Sequence, residues 1–167
     1  MSEAICDPRY WARRLREAPH DQPHHAIFKC PRDRWERIEA KHREILAATI
    51  HPAASVLDAG CGWGRLLTLM PNNWFGDYLG LDLSPSFIEQ ARRFHRHRHF
   101  YVADLRKYLP NPSDGPRWTW GVLISIRPMI RRHLGGEAWE EIERNLRGHC
   151  SKLLYLEYDE DDPGSIE

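Results

Sequence analysis

Short apolar runs alternate with amphipathic stretches along most of this chain. Five runs have the length and residue content of buried strands: ASVLDAG (54–60), DYLGLD (77–82), HFYVAD (99–104), WTWGVLIS (118–125) and KLLYLEY (152–158). Helical spacing covers the intervening segments 64–70, 85–94 and 136–148. Strands and helices that alternate at this spacing predict parallel βαβ units with right-handed crossovers, hence an α/β fold.

Two helical patterns precede the first strand, over residues 8–18 and 31–50, separated by a stretch rich in helix breakers. We therefore divide the chain into N-terminal helices that act as a lid or cap (1–52), a core (53–158) and an acidic tail (159–167). The side chains for such a lid are Tyr10, Trp11, His24 and His25. Packing of Tyr10 and Trp11 into the core is the alternative.

Composition narrows the class of protein. The 167 residues are 41% hydrophobic and 29% charged, as in globular domains, and no run reaches the ~20 apolar residues of a membrane helix. The N-terminus has no apolar signal core, so we expect a cytoplasmic protein. The four cysteines form no metal-binding or redox pair. Residues 157–167 contain six of the 24 acidic residues, which leaves 18 acidic against 24 basic residues in 1–156 and slightly favours an anionic partner.

The candidate chemistry follows the ends of the predicted strands, where ligands of parallel sheets bind. Asp58 precedes a loop with Gly60, Gly62 and Gly64, and Asp82 and Asp104 close the next two strands. A dinucleotide-binding loop would have glycine at position 65, where this chain has Arg65, and no Walker sequence is present. An acid on the rim of the loop would repel phosphate and favour an ammonium group.

Asp82 stands where a carboxylate can accept hydrogen bonds from ribose hydroxyls. S-adenosylmethionine, which has an amino-bearing end, a ribose and no phosphate, fits these features. The alternatives are a tight strand–helix turn without a ligand for the glycine loop, and helix-capping or turn-forming roles for Asp82 and Asp104.

Four segments in order resemble the class I, Rossmann-like S-adenosylmethionine-dependent methyltransferases: VLDAGCGWGRLL (56–67), YLGLDLSPSFIEQARR (78–93), FYVADLRKYLP (100–110) and WGVLISI (120–126). The resemblance covers residues 54–158. It departs from the family at Trp120-Gly121, where an aspartate usually begins the fourth strand, and after the fifth strand, where the family adds an antiparallel hairpin.

The resemblance implies a role for each matching position. Gly60, Gly62 and the backbone around them, which includes Cys61, would contact the methionine part of the cofactor, and Asp58 its amino end, directly or through water. The Cys61 side chain is expected to be a small buried filler. Asp82 would bind the ribose, Leu83 would flank the adenine, and Asp104 with the Leu105 amide would bind the adenine edge. Ser125 and Ile126 would lie beside the reacting methyl. No metal is implied.

The implied fold is a three-layer Rossmann-like sandwich on a minimal, mostly parallel five-stranded sheet of order 3-2-1-4-5, without the C-terminal hairpin. The edge at 152–158 would then be exposed, shielded by acidic residues or by a second copy in a homo-oligomer.

Two motifs each have more than one interpretation. FHRHRHF (94–100) is a solvated connection, a basic surface for phosphate or, least favoured, a zinc site. IRPMIRRH (126–133) either offers His133 or Arg127 to orient or deprotonate a nucleophile, or is a surface helix with Met129 and Ile130 packed inward.

The sequence therefore predicts methyl transfer to a small-molecule acceptor by in-line displacement. No [DNS]-P-P-[YFW] tetrapeptide or Pro-Cys pair follows the fourth strand, which disfavours the DNA adenine and cytosine C5 enzymes. The alternatives are a nucleic-acid or nucleotide methyltransferase that holds phosphates with the arginines at 92–98 and 127–132, and a non-catalytic S-adenosylmethionine-binding protein within a complex.

Overall fold

The computed structural model describes residues 7–18, 30–107 and 117–158, and the backbone of 164–166. Helices are α1 (Pro8–Glu17), α2 (Arg32–Thr49), α3 (Arg65–Leu69), α4 (Pro85–Phe94), α5 (Ile126–Leu134) and α6 (Gly136–His149). Strands are β1 (Val56–Ala59), β2 (Tyr78–Asp82), β3 (His99–Val102), β4 (Trp118–Ile124), β5 (Cys150–Leu156) and β6 (Gly164–Ile166). His24, His25 and most of the predicted acidic tail lie outside the described residues.

The sheet has the order β3-β2-β1-β4-β5-β6. The first five strands are parallel, so the predicted order 3-2-1-4-5 is confirmed. β6 was not predicted. Its three residues are too few to show a periodicity, and they pair antiparallel with β5 through Leu154–Ile166 and Leu156–Gly164.

β6 pairs with β5 over residues 154–156, so the expectation of an exposed edge at 152–158 is wrong for that part of the strand. A homo-oligomer formed through the edge of the sheet stays a prediction.

Alternate residues of the central strands pack on opposite faces of the sheet, as expected where both faces are buried. Val56, Val122 and Leu154 face α2, α3 and α4, in a core that includes Leu46, Leu66 and Ile88. Leu57, Leu123 and Leu153 face α6, in a core that includes Ile142 and Leu146. The result is the three-layer sandwich that the sequence predicted. Within the described residues, no helix combines the length and apolarity needed to cross a membrane.

α1 stands apart from these two cores. Trp11 and Leu15 pack on a small separate cluster formed by Trp63 and Phe87. Since no α1 residue is buried, this helix is held mainly by its contact with α4.

We expect truncation of Leu154, which is fully buried between the sheet and α2–α4, to lower the free energy of unfolding. Leu154→Ala should cost about 2–5 kcal/mol, because it removes apolar contacts and leaves a cavity in a parallel strand. Urea unfolding followed by circular dichroism measures this value. Ser151→Ala, at an exposed position of the same strand, is the control and should change the value by less than about 0.5 kcal/mol. Equal effects of the two substitutions would contradict the assigned core.

Candidate functional site

A cavity lies at the edge of the sheet where β1, β2, β3 and β4 end. Its empty space is about 790 Å³, including the open mouth. This edge is where parallel strands leave room for ligands, because the chain turns away to opposite faces there. The lining residues come from all four strand ends and from α1, α4, α5 and α6: Trp11, Gly60, Gly62, Asp82, Leu83, Phe87, Ala103, Asp104, Leu105, Arg106, Ile124, Ser125, Ile126, Met129, Ile130, Leu134 and Ile142.

The glycine loop after β1 presents bare backbone to this cavity. Gly60, Gly62 and Gly64 all have positive φ (78°, 53° and 82°), a conformation that side chains rarely adopt. A Cβ on Gly60 would also overlap the Ile126 side chain. The Gly60 and Cys61 amides both donate to the Leu81 carbonyl, at 2.7 and 2.9 Å, which fixes the start of the loop against β2.

Asp82 joins this loop to the next helix. Its carboxylate accepts hydrogen bonds from the Gly62 amide (2.9 Å) and from the Ser84 amide (2.8 Å), one on each oxygen. Burial raises the pKa of Asp82 to about 6, although these two hydrogen bonds favour the charged form. A carboxylate oxygen has two acceptor positions, so each can still accept a hydrogen bond from a ligand in the cavity.

Asp104 lies across the cavity in a tight turn with Arg106. The Arg106 guanidinium donates to both carboxylate oxygens, from Nε at 3.0 Å and Nη2 at 2.7 Å, and lowers the pKa of Asp104. The amide of Asn145 on α6 donates to the Leu105 and Arg106 carbonyls, at 3.1 and 3.2 Å. The turn after β3 is therefore anchored to the helical layer beneath it.

Ser125 is the non-glycine residue with positive φ (54°) in the described chain. Its amide donates to the Leu156 carbonyl at 2.7 Å, which holds this conformation at the end of β4. Its hydroxyl oxygen is buried and has no hydrogen-bond partner among the described residues, yet the residue lines the cavity. A strained backbone and an unsatisfied hydroxyl at one residue are typical of a ligand-binding position.

An apolar wall completes the cavity. Ile126, Met129, Ile130 and Leu134 lie on one face of α5, at helical spacing. The interpretation of Met129 and Ile130 as inward-facing is thus confirmed. Trp11 contributes from α1, with its ring 6.2 Å from that of Phe87.

Eight of the ten residues predicted to bind a cofactor line this cavity: Gly60, Gly62, Asp82, Leu83, Asp104, Leu105, Ser125 and Ile126. The other two do not. Asp58 was expected on the rim, but it lies within β1, is 1% exposed and accepts a hydrogen bond from the Tyr78 hydroxyl at 2.7 Å. Cys61 packs its side chain in the core on the α2–α4 face, so the expected contact with the cofactor falls to its backbone.

The two predicted catalytic residues also lie outside the cavity lining. Arg127 Nε is 3.3 Å from Oε1 of Glu157, and its guanidinium lies over the Tyr155 ring at 4.5 Å. His133 is half-buried on α5. By helical spacing His133 shares the face of α5 with Met129 and Ile130, although it is not among the residues that line the cavity.

The structural role of Arg65 was not predicted. In the sequence it served only as evidence that the glycine loop does not bind a dinucleotide. It is 4% exposed, pairs with Glu39 at 3.2 Å and donates to the Tyr158 hydroxyl at 2.8 Å. Its guanidinium also lies over the Trp35 ring, at 4.2 Å. The signal was available: an arginine at the start of the apolar run RLLTL needs buried partners.

Other cavity residues were missed as well, namely Phe87, Ala103, Arg106, Ile124, Leu134 and Ile142. Arg106 could have been found from its two-residue offset from Asp104, and Leu134 from the apolar spacing of α5. Within the described residues, no three His, Cys, Asp or Glu side chains are grouped so as to hold a metal ion.

Comparison with known proteins now identifies the family. A family model described as "Methyltransferase domain" matches residues 56–147, more than half of the chain. The chain belongs to this family. It is a class I S-adenosylmethionine-dependent methyltransferase domain, as the four motifs predicted.

The individual relatives are distant. The ribosomal protein L11 methyltransferase of Ralstonia pickettii is 29% identical over 82 residues, which are 49% of this chain and 26% of that protein. The chain thus matches only about a quarter of this relative. Two solved structures share the fold. One is a TehB-like S-adenosylmethionine-dependent methyltransferase from Corynebacterium glutamicum, with a TM-score of 0.53 and 23% identity, over 74% of this chain and 68% of that one. The other is magnesium protoporphyrin IX methyltransferase from Synechocystis with bound S-adenosylmethionine, with a TM-score of 0.54 and 18% identity, over 72% of this chain and 56% of that one.

The buried carboxyl of Asp58 predicts a specific pH dependence of stability. Burial raises its pKa from 3.8 to about 7, against the opposing hydrogen bond from Tyr78. Because the folded state binds this proton more tightly than the unfolded state, the contribution of Asp58 to stability falls as pH rises from about 4 to 7. Asn cannot ionise, so the free energy of unfolding of Asp58→Asn relative to that of the wild type should rise by on the order of 3 kcal/mol between pH 4 and 7. Urea unfolding at pH 4, 5.5, 7 and 8 measures the difference, and a pH-independent difference would contradict the assignment.

Ser125 predicts an unusual stabilising substitution. Ser125→Gly should raise the free energy of unfolding by about 1 kcal/mol, because glycine adopts positive φ without strain and removes an unsatisfied hydroxyl. Ser125→Ala removes the hydroxyl but retains the strain, so it should be less stable than Ser125→Gly. Thermal unfolding of the three proteins gives the order, and a loss of stability in Ser125→Gly would contradict the backbone assignment.

Proposed function

We propose that this chain binds S-adenosylmethionine in the cavity at the carboxyl ends of β1–β4 and catalyses methyl transfer to a small-molecule acceptor. The observation that carries the proposal is the position of Asp82. Its carboxylate is held by the Gly62 and Ser84 amides and still lines the cavity, where it can accept from two ribose hydroxyls.

The other residues fit the same ligand. Leu83 would flank the adenine, while Asp104 and the Leu105 amide would bind its edge. The bare backbone of Gly60 and Gly62 leaves room for the methionine part. The side chains of Asp58 and Cys61 are left out of this contact set, because they face away from the cavity.

The charges of the cavity favour a cation over a phosphate. Its ionisable lining groups are Asp82, Asp104 and Arg106, and the Arg106 guanidinium is already paired with Asp104. Ser125 adds a hydroxyl without a partner in the described chain, and α5 adds an apolar wall. These features suit a sulfonium ligand with an adenine ring and without a phosphate group.

Catalysis in this proposal comes from positioning. When bound, the cofactor supplies an electrophilic methyl group on a sulfonium sulfur, and a nucleophile of the acceptor displaces that sulfur in line. The glycine loop and Asp82 hold the two sides of the ligand, while the α5 wall and Trp11 limit the access of water. Ser125 and Ile126 would border the acceptor side. Holding both reactants in line removes much of the entropic barrier.

The apolar wall supports a small acceptor with an apolar or aromatic body. Use of arginines to hold substrate phosphates is less well supported. Those at 92–98 lie before β3, at the end of the sheet opposite to the cavity, and Arg127 is paired with Glu157. A protein acceptor is a second candidate, because relatives that match 41–49% of this chain carry the name ribosomal protein L11 methyltransferase.

Ligand-dependent thermal unfolding tests the cofactor site. S-adenosylhomocysteine should raise the melting temperature, because a ligand that binds only the folded state stabilises it by about 2.7 kcal/mol at 100 times its Kd. For a chain of this size that is a shift of several degrees, at roughly 2–4 °C for each kcal/mol. Asp82→Asn should lose most of the shift, because the amide has one acceptor oxygen where the carboxylate has two. Asp77→Asn, at an exposed acid before β2, is the matched control and should keep it.

Absence of a shift in the wild type at millimolar ligand would contradict the cofactor assignment. Transfer of tritium from methyl-labelled S-adenosylmethionine into fractionated small molecules or proteins then separates the two acceptor classes. A protein that binds the ligand but labels neither fraction would support the non-catalytic alternative.

A further inference from the structure

A second groove lies at the amino-terminal ends of β2 and β3, on the side of the sheet opposite to the strand ends that form the cavity. Its walls come from the segment before β2 and from the end of α4, and they include Trp74, Phe94, His95, Arg96, His97 and Arg98. We call it the basic groove. It shares no lining residue with the cavity at the strand ends, and no acidic side chain lines it among the described residues.

Two arginines give the groove its charge in different ways. Arg98 is fixed, since its Nη1 donates to the Gly76 carbonyl at 2.9 Å and its guanidinium lies over the Trp74 ring at 4.8 Å. Four of its five N–H donors are not used by that bond. Arg96 is exposed and has no hydrogen bond or ion pair with the described residues. A cation fixed by its contacts and an exposed cation therefore lie within three residues of each other, beside His97.

Large aromatic side chains stand in solvent beside these cations. Phe94, at the end of α4, is 63% exposed, and Phe75, next to the groove residue Trp74, is 72% exposed. Phe94 itself lines the groove, so its exposed ring lies beside the cationic side chains. Neither ring has a role in the cavity proposed to bind the cofactor.

We propose that the basic groove binds a single-stranded segment of nucleic acid, with phosphates on Arg96 and Arg98 and a base stacked on Phe94. Cationic side chains beside exposed aromatic rings are the elements by which proteins hold single strands without reading sequence. A peptide of acidic residues alone would use the arginines but has no planar group to stack on the exposed ring. The inference does not depend on the proposed methyl transfer, because the groove is separate from the cavity.

Fluorescence anisotropy with a labelled 12-nucleotide oligouridylate tests the proposal on the whole chain over a range of KCl concentrations. The wild type should bind, with an affinity that falls as salt rises. Arg96→Glu should weaken binding and reduce the slope of log K against log salt by about 0.7 or more, the contribution of one phosphate contact. Phe94→Ser should weaken binding roughly fivefold or more and leave the slope unchanged, because it removes stacking and no charge.

Arg131→Glu is the matched control, since it makes the same charge change at another exposed arginine, on α5. It should bind the oligonucleotide nearly as well as the wild type. Three results would overturn the proposal: no binding at 50 mM KCl, equal losses for Arg96→Glu and Arg131→Glu, or full competition by polyglutamate with no effect of Phe94→Ser. The last would assign the groove to an acidic peptide. S-adenosylhomocysteine shifts measured on the same variants keep this test separate from the cofactor proposal.

Discussion

The carboxylate of Asp82 satisfies two backbone amides that would otherwise lack a partner at the heart of the site. One belongs to Gly62 in the loop after β1, and the other to Ser84 at the start of α4. A single side chain at the end of β2 thus fixes the distance between the glycine loop and the next helix. Burial makes this charge costly, as its raised pKa shows, so the arrangement is retained at the expense of stability. Such a cost is typical of a binding position.

A second set of polar contacts supports the loops from behind. Arg65 connects the start of α3 to α2 through Glu39 and to the end of β5 through Tyr158. His42 of α2 contacts the Glu157 carbonyl at 2.8 Å, and the Glu157 carboxylate pairs with Arg127 of α5. Removal of one partner from such a buried group leaves an uncompensated charge, which is strongly destabilising. The loops after β1 and β4 are therefore linked through α2 and the end of β5.

Much of the fold could be predicted because its signals are long and regular. Five apolar runs separated by helical patterns determine a parallel sheet, and Asp82 and Asp104 follow from their position at strand ends. β6 has three residues and carries no periodic signal. Asp58 was expected on the rim of the loop because strand periodicity does not show which side chains surround a buried acid. In the structure Asp58 is buried within β1, beside the Tyr78 hydroxyl. The surroundings of Arg127 could not be predicted either, since its proximity in sequence to Ser125 does not show that its side chain pairs with Glu157.

A crystal structure with S-adenosylhomocysteine bound tests the central claim most directly. We predict hydrogen bonds of about 2.6–3.2 Å from both ribose hydroxyls to the Asp82 carboxylate, with the adenine beside Leu83 and its amino group towards Asp104. The Gly62 and Ser84 amides should keep their bonds to Asp82. A ligand bound away from Asp82, or bound only after the Asp82 carboxylate has left these amides, would contradict the account.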